Sequence, residues 1–277
     1  MPGLLDSAVE LGDGTWFLGA GLKPSQLRIN HSANVNAADT TNADQLRSGG
    51  GLGLSLTGAG VTVGVWDGGA VRSTHQEFGG RVTVIDAVAN SDHGTHVAGT
   101  IGASGVVTAA RGMATGVSLR SRDWNNDISK INSDGSLIQV SNHSYSYITG
   151  WELYNWGFGY EDTWVEDRSV YSVEARGFGK YTSYTRDLDT VLYNNRRLLS
   201  VWAASNDRDD SYRNYRGDNT YVTYLSAGGA GPGWYRVSTD SYPAPPADGN
   251  AGAGYDSLPT MQAAKNNLVV GAINDVT

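Results

Sequence analysis

Ser91-Asp92-His93-Gly94-Thr95-His96-Val97-Ala98-Gly99-Thr100 is the stretch on which the reading of this chain turns. It reads as the opening of a helix. Asp92 is an N-cap residue type, and Val97, Ala98 and Ile101 recur at the spacing of one buried face. The Gly and Ala positions allow the helix to lie close against neighbouring backbone. Two histidines three residues apart admit two readings: a histidine placed for proton transfer, or a pair of core histidines satisfied by hydrogen bonds. The surrounding chain decides between them.

Upstream, Gly58-Ala59-Gly60 leads into Val61-Thr62-Val63-Gly64-Val65-Trp66, which stops at Asp67-Gly68-Gly69. A continuous apolar run rich in β-branched residues predicts a strand buried on both faces, the parallel-sheet type. The glycines at 58 and 60 precede the strand, so this is not a dinucleotide fingerprint. Further strands are expected at Arg81–Ile85, Val117–Ser121, Ile138–Ser141, Leu198–Ala204 and Leu268–Ala272. Tyr181, Tyr184, Leu188, Val191 and Leu192 recur at helical spacing. A short helix is expected within Asn34–Arg47, capped by Thr41 with Ala43 to Leu46 inside, before the Gly49–Gly53 connector. Trp16–Leu18 and Leu27–Ile29 read as short strands between glycine turns, while residues 147–179 and 207–256 read as long surface loops. Strands alternating with helices predict an α/β fold with a doubly wound, largely parallel sheet and right-handed crossovers.

Composition narrows the partners. The chain has 277 residues and a net charge of −8, with no basic run longer than Arg196-Arg197, which argues against nucleic acid. It has no cysteine, hence no disulfide framework and no thiolate chemistry. No apolar run approaches the roughly 18 residues that span a bilayer. Met1-Pro2-Gly3-Leu4-Leu5-Asp6 lacks the basic and apolar regions of a signal peptide. A monomer is expected.

In open α/β sheets, ligands bind beyond the carboxyl ends of the strands. Asp67, the Asn142–Ser146 segment and Asn206 each follow such an end, and His93 opens a helix that follows another strand. This gathering favours a functional His93. A buried carboxylate fixes a histidine tautomer and stabilises the imidazolium. Histidine takes a proton near neutral pH. An Asn amide at a strand end can donate to a developing oxyanion, worth roughly 3–4 kcal/mol. The edge at Ser144-Tyr145-Ser146 can pair with an extended peptide as an added strand. Together these describe acyl transfer on a peptide.

At these residues the chain resembles the subtilisin-like serine proteases. His93 to Thr100 resembles their histidine motif, and Val63 to Gly69 their aspartate motif, with Gly68 where Ser or Thr is usual. Val140 to Ser146 is similar to the substrate-binding strand, with Ser146 for a usual Gly. Ala203 to Asp207 is similar to the oxyanion motif, with Ser205 for a usual Gly. The chain order, aspartate before histidine, is the subtilisin order. The aromatic insert and the Asp-rich loop resemble the bacterial branch of KP-43 type alkaline proteases. The resemblance implies a three-layer subtilisin-like fold in which Asp67 orients the base, His93 is the general base and acid, and Asn206 is the oxyanion donor. It places Ser144, Tyr145 and Ser146 along the cleft for a polypeptide substrate, and His96 packed beneath the site. Residues 36–277 are then the N-terminal part of a catalytic domain, preceded by a 1–35 segment that reads as a propeptide remnant, a leader or the tail of a preceding segment. The full-length protein is expected to act outside the cell.

The family's nucleophile lies in a Gly-Thr-Ser-Met-Ala run, and no such run occurs in these 277 residues. The expectation is a fold incomplete at its C-terminus and a polypeptide that does not hydrolyse peptides alone. Two other readings remain in view. One is a pseudoenzyme or a peptide- or carbohydrate-binding module that uses the Trp- and Tyr-rich insert. The other is a metal hydrolase using His93, His96 and Asp67, disfavoured because HGTH lacks the spacing and the glutamate of HExxH. The chemistry requires no cofactor and no metal. Structural calcium is compatible with the resemblance, and Asp207, Asp209, Asp210 and Asp218 are dense oxygen donors without a calcium-loop pattern.

Overall fold

The computed structural model describes residues 33–157, 159–208, 210–227, 231–248 and 257–273, and two short strands before them. Those strands, β1 (Val9–Glu10) and β2 (Trp16–Phe17), pair antiparallel. The expected strand at Leu27–Ile29 lies outside the described residues. Then follow α1 (Ala33–Thr40), β3 (Thr62–Asp67), β4 (Val82–Val84), α2 (Asp92–Gly102), β5 (Ser118–Asp123) and α3 (Asp127–Asp134). Next come β6 (Val140–His143), β7 (Trp151–Asn155), β8 (Tyr160–Asp167), α4 (Ser183–Asn194) and β9 (Leu199–Ala203). The last are β10 (Thr220–Leu225), β11 (Gly233–Ser238) and β12 (Leu268–Val270). No helix among the described residues is long and apolar enough to cross a membrane. The described residues divide into two compact units: the first β1 and β2, residues 146–186 and 204–265, and the second residues 33–145, 187–203 and 266–273.

The second of these units holds a six-stranded sheet in the order β12-β9-β6-β3-β5-β4, with every neighbouring pair parallel. From β3 the chain first winds toward β4 and β5, then reverses to β6, β9 and β12, so the sheet is doubly wound as expected. β3 lies inside it, and Val63, Gly64, Val65, Trp66 and Asp67 are all buried. A strand with neighbours on both edges and cover on both faces must be apolar throughout, which is why its sequence shows no alternation. Val63, Val65, Val71, Phe78, Ala98, Val117 and Leu119 form one core, against which Val97 and Ile101 of α2 pack.

Three sequence expectations are corrected here. Thr41 does not start a helix; it ends one. Its hydroxyl donates to the Ala37 carbonyl at 2.7 Å, and Asn42 takes φ +58°. Beyond it, only a single 3₁₀ turn, Asp44–Leu46, forms. Nor are residues 147–179 and 207–256 merely loops. Together they build a four-stranded sheet, β11-β10-β8-β7, with β8 and β10 parallel and both outer pairs antiparallel. Its core holds Trp151, Trp164, Ala175, Phe178, Tyr221, Leu225 and Val237. The pattern is hidden in sequence because Glu161 to Trp164 and Tyr221 to Thr223 are buried on both faces. Last, α3 has no counterpart among the expected helices. Its carboxyl-terminal Asp134 is gripped by Arg120 and Arg122 of β5, so charge as well as apolar periodicity fixes it to the sheet.

Candidate active site

Asp67 is the last residue of β3 and is almost wholly buried. Beyond it the chain turns at Gly68-Gly69, and a parallel bridge between Ala70 and Asn90 carries residues 89–91 back alongside. That bridge sets the start of α2 against the end of β3. The N-cap of α2 is Ser91, not Asp92: the Ser91 Oγ accepts from the Gly94 N–H at 2.8 Å. The same hydroxyl donates to Asp67 Oδ1 at 3.0 Å, so one serine closes the helix end and holds the acid. The Gly68 N–H donates to Oδ1 as well, at 2.9 Å. Gly94 permits the close approach, since a Cβ there would stand 3.0 Å from the Asp67 Cβ. Gly68 carries the ring of Trp124; a Cβ at that position would meet the ring at 2.5 Å, which accounts for the absence of Ser or Thr.

His93, in the first turn of α2, faces the other carboxylate oxygen: Nδ1 and Asp67 Oδ2 are 2.6 Å apart. The His93 side chain is 24% exposed and that of Asp67 3%, so a buried acid holds a ring whose Nε2 lies on the far side. With both Asp67 oxygens engaged, the carboxylate cannot swing without giving up three partners. This is the geometry of a histidine whose tautomer is fixed for taking a proton at Nε2. Ser91 escaped the sequence reading, although a serine directly before the first helical residues is itself an N-cap signal.

His96 does not pack beneath the site. The buried line of α2 runs through Gly94, Ala98 and Gly102, spaced by four, and His96 lies about 200° around the helix from Gly94, on the exposed side. Among the described residues no His, Cys, Asp or Glu group is assembled to hold a metal ion.

The segment after β6 is anchored by aromatic packing. His143, fully buried, stacks on Trp202 at 4.0 Å and on Trp66 at 5.1 Å. Its Nδ1 is hydrogen-bonded with the Tyr145 hydroxyl and its Nε2 with the Ser141 hydroxyl, each at 2.9 Å. The Tyr145 hydroxyl donates to Asp127 Oδ2 at 2.9 Å, and the side chain is buried. Any contact of Tyr145 with a ligand is therefore made by its main chain. Ser144 is half-buried and accepts from the Asn142 amide at 3.0 Å. Ser146 and Asn206 belong to the other unit. Asn206 is exposed and follows Ser205, which takes φ +82°, the left-handed region that a glycine occupies without strain. The Ser205 hydroxyl donates to Asp207 Oδ2 at 2.6 Å and accepts from the Asp207 N–H at 3.1 Å, so a local turn holds this conformation.

A sequence model of the subtilase family matches residues 58–276. The chain belongs to the subtilase family. Matching solved structures include a cold adapted subtilisin-like serine proteinase, 24% identical over 56% of this subtilase and 50% of that chain, with a TM-score of 0.36. The MycP3 protease from the type VII (ESX-3) secretion system matches at 15% identity over 88% of this chain and 58% of its own, with a TM-score of 0.46. MycP1 from Mycobacterium smegmatis matches at 18% identity over 75% and 53%, with a TM-score of 0.38. This subtilase spans about half the length of the structures it matches.

Burial holds the His143 pKa well below its ordinary value of 6.5. The sign of the consequence is fixed. As pH falls below 6.5 the unfolded chain takes a proton that folded His143 refuses, so this residue withdraws stability by up to about 1.4 kcal/mol per pH unit. In a pH titration by NMR, the His143 ring resonances are expected to show no midpoint near 6.5. A midpoint near 6.5 would show that the stacked ring is accessible to protons after all.

Proposed function

We propose that this subtilase chain supplies the base and the orienting acid of a serine-type endopeptidase. The observation that carries the reading is the 2.6 Å contact between His93 Nδ1 and Asp67 Oδ2, with Asp67 Oδ1 held by Ser91 and Gly68. In this reading His93 Nε2 takes the proton of a serine hydroxyl as it attacks the peptide carbonyl, and then delivers it to the leaving amine. Ser144, Tyr145 and Ser146 line the track of an extended polypeptide substrate, and the Asn206 amide donates to the oxyanion.

The nucleophile motif is not among residues 1–277, so this polypeptide alone is expected to leave casein uncut and a serine-reactive fluorophosphonate unbound. Casein hydrolysis by residues 1–277 that His93→Ala abolishes would show that one of these residues serves as nucleophile. A longer product of the same gene carrying a Gly-Thr-Ser-x-Ala run is expected to cleave casein and to lose that activity on His93→Ala. Activity that survives this substitution would sink the assignment of the base.

A further inference from the structure

The polar groups around His143 form a single line whose hydrogens can be counted. Ser200 and Ser141 are fully buried on the neighbouring strands β9 and β6, with their hydroxyls 2.9 Å apart. Ser141 meets His143 Nε2, Tyr145 meets His143 Nδ1, and Tyr145 meets Asp127 Oδ2, each at 2.9 Å. Each hydroxyl carries one hydrogen, and a neutral imidazole carries one N–H. Burial keeps the His143 ring neutral. Ser200, Ser141, His143 and Tyr145 therefore bring just enough hydrogens to join the line from end to end, and only if every donor points the same way.

The acid at the end decides which way. Asp127 is buried at the first turn of α3, and its Oδ1 accepts from the Ile128 N–H at 2.7 Å. A carboxylate only accepts. Tyr145 then donates to Asp127 Oδ2 and accepts from His143 Nδ1, while Nε2 accepts from Ser141. At the other end Ser200 donates to Ser141, and its oxygen accepts the Trp202 indole N–H at 2.8 Å. The Tyr145 ring is wedged edge-on against Trp202 at 5.4 Å and Trp124 at 5.6 Å.

We propose that Asp127 sets the sense of this buried line, locks His143 as the Nδ1–H tautomer and, through Tyr145, fixes the main chain at Ser144 and Tyr145. That this main chain lines a substrate track rests on the peptidase reading. Asp127 and His143 are positioning residues, since they act through Tyr145. A reversal follows from the geometry. An asparagine at 127 must keep its oxygen toward the Ile128 N–H, so its NH2 faces the Tyr145 hydroxyl. Tyr145 must then donate to Nδ1, His143 must carry its hydrogen on Nε2, and Ser141 must donate to Ser200. One substitution at the end turns every member of the line around.

Proton–nitrogen correlation NMR of the histidine rings in residues 1–277 at neutral pH reads the tautomer directly. The His143 hydrogen is expected on Nδ1 in the wild type and on Nε2 in Asp127→Asn. Should Asp127→Asn fail to fold, Tyr145→Phe carries the same test: it takes the hydroxyl from Nδ1 and leaves the Ser141 oxygen at Nε2, so the hydrogen is again expected on Nε2. A wild-type ring protonated at Nε2, or a tautomer that neither substitution moves, overturns the proposal. These readouts need no turnover, so they stand or fall apart from the peptidase reading. In a product of this gene that carries its serine, Asp127→Asn is expected to raise KM for an extended peptide about three-fold or more, with kcat nearly unchanged. A reversed tautomer with an unchanged KM would overturn the positioning role.

Discussion

Asp134→Ala is expected to lower the stability of the chain by about 3–5 kcal/mol, more than any other single loss of charge in the parallel-sheet unit. Asp134 is 1% exposed and receives two guanidinium forks. Arg120 donates through Nε and NH2 at 2.8 and 3.1 Å, and Arg122 at 2.9 and 2.8 Å. Arg122 also reaches Asp86 at 3.1 Å, and Lys130 of α3 bonds the same Asp86 at 2.9 Å. Burial alone would raise the Asp134 carboxyl, but the hydrogen bonds from Arg122 and Arg120 outweigh it and hold the pKa below the ordinary value. A lowered carboxyl pKa adds stability above the unfolded pKa of about 3.8, lost as pH falls through the folded value. Removing the carboxylate leaves the mostly buried guanidinium of Arg120 without that partner, while Arg122 keeps Asp86. Asp134→Asn keeps the shape and loses the charge, so its cost should lie between wild type and alanine. Thermal melts of the three proteins at neutral pH decide the matter. An alanine variant within about 1 kcal/mol of wild type would mean that the forks are screened and that α3 is held by Ile131 and its neighbours instead.

The same cluster explains what could and could not be read from the sequence. β3 announced itself, because a strand buried on both faces is written as an unbroken apolar run. The start of α2 was legible through its small residues and histidines, although the cap proved to be Ser91 rather than Asp92. α3 was not legible. Its sequence, Asp127 to Asp134, holds only Ile128 and Ile131 as apolar residues, and its grip on the sheet is made with arginines fourteen and twelve positions earlier on β5. The second sheet was missed for a different reason. β8 and β10 are separated by more than fifty residues, and each buries polar and apolar side chains alike, so neither shows period two. The pairing of Asp67 with His93, 2.6 Å apart, was legible because each follows a strand the sequence announces. Ser91 was not, because its role exists only once the Ala70–Asn90 bridge has folded residue 91 onto the end of β3.

In a product of this gene that carries its serine, Asp67→Asn is expected to lower kcat for peptide hydrolysis about 10⁴-fold with little change in KM. The direction follows from the partners of the two carboxylate oxygens. Oδ1 accepts from the Gly68 N–H and the Ser91 hydroxyl. An asparagine must keep its carbonyl oxygen there, since an NH2 group would face a donor from the backbone. The amide nitrogen then takes the place of Oδ2, 2.6 Å from His93 Nδ1 in the wild type, and presents a hydrogen where Nδ1 had one. His93 must accept at Nδ1 and carry its proton on Nε2, which leaves no lone pair for the serine hydroxyl. Ser91→Ala leaves the Gly68 contact intact, so it should cost far less activity while lowering stability by about 1 kcal/mol through the lost helix cap. The dyad itself can be followed in residues 1–277 without any turnover. The proton between His93 Nδ1 and Asp67 should give a far-downfield NMR resonance that Asp67→Asn removes and Ser91→Ala keeps. If Asp67→Asn spared both kcat and that resonance, the carboxylate would be a strand-end turn acid rather than the group that orients the base.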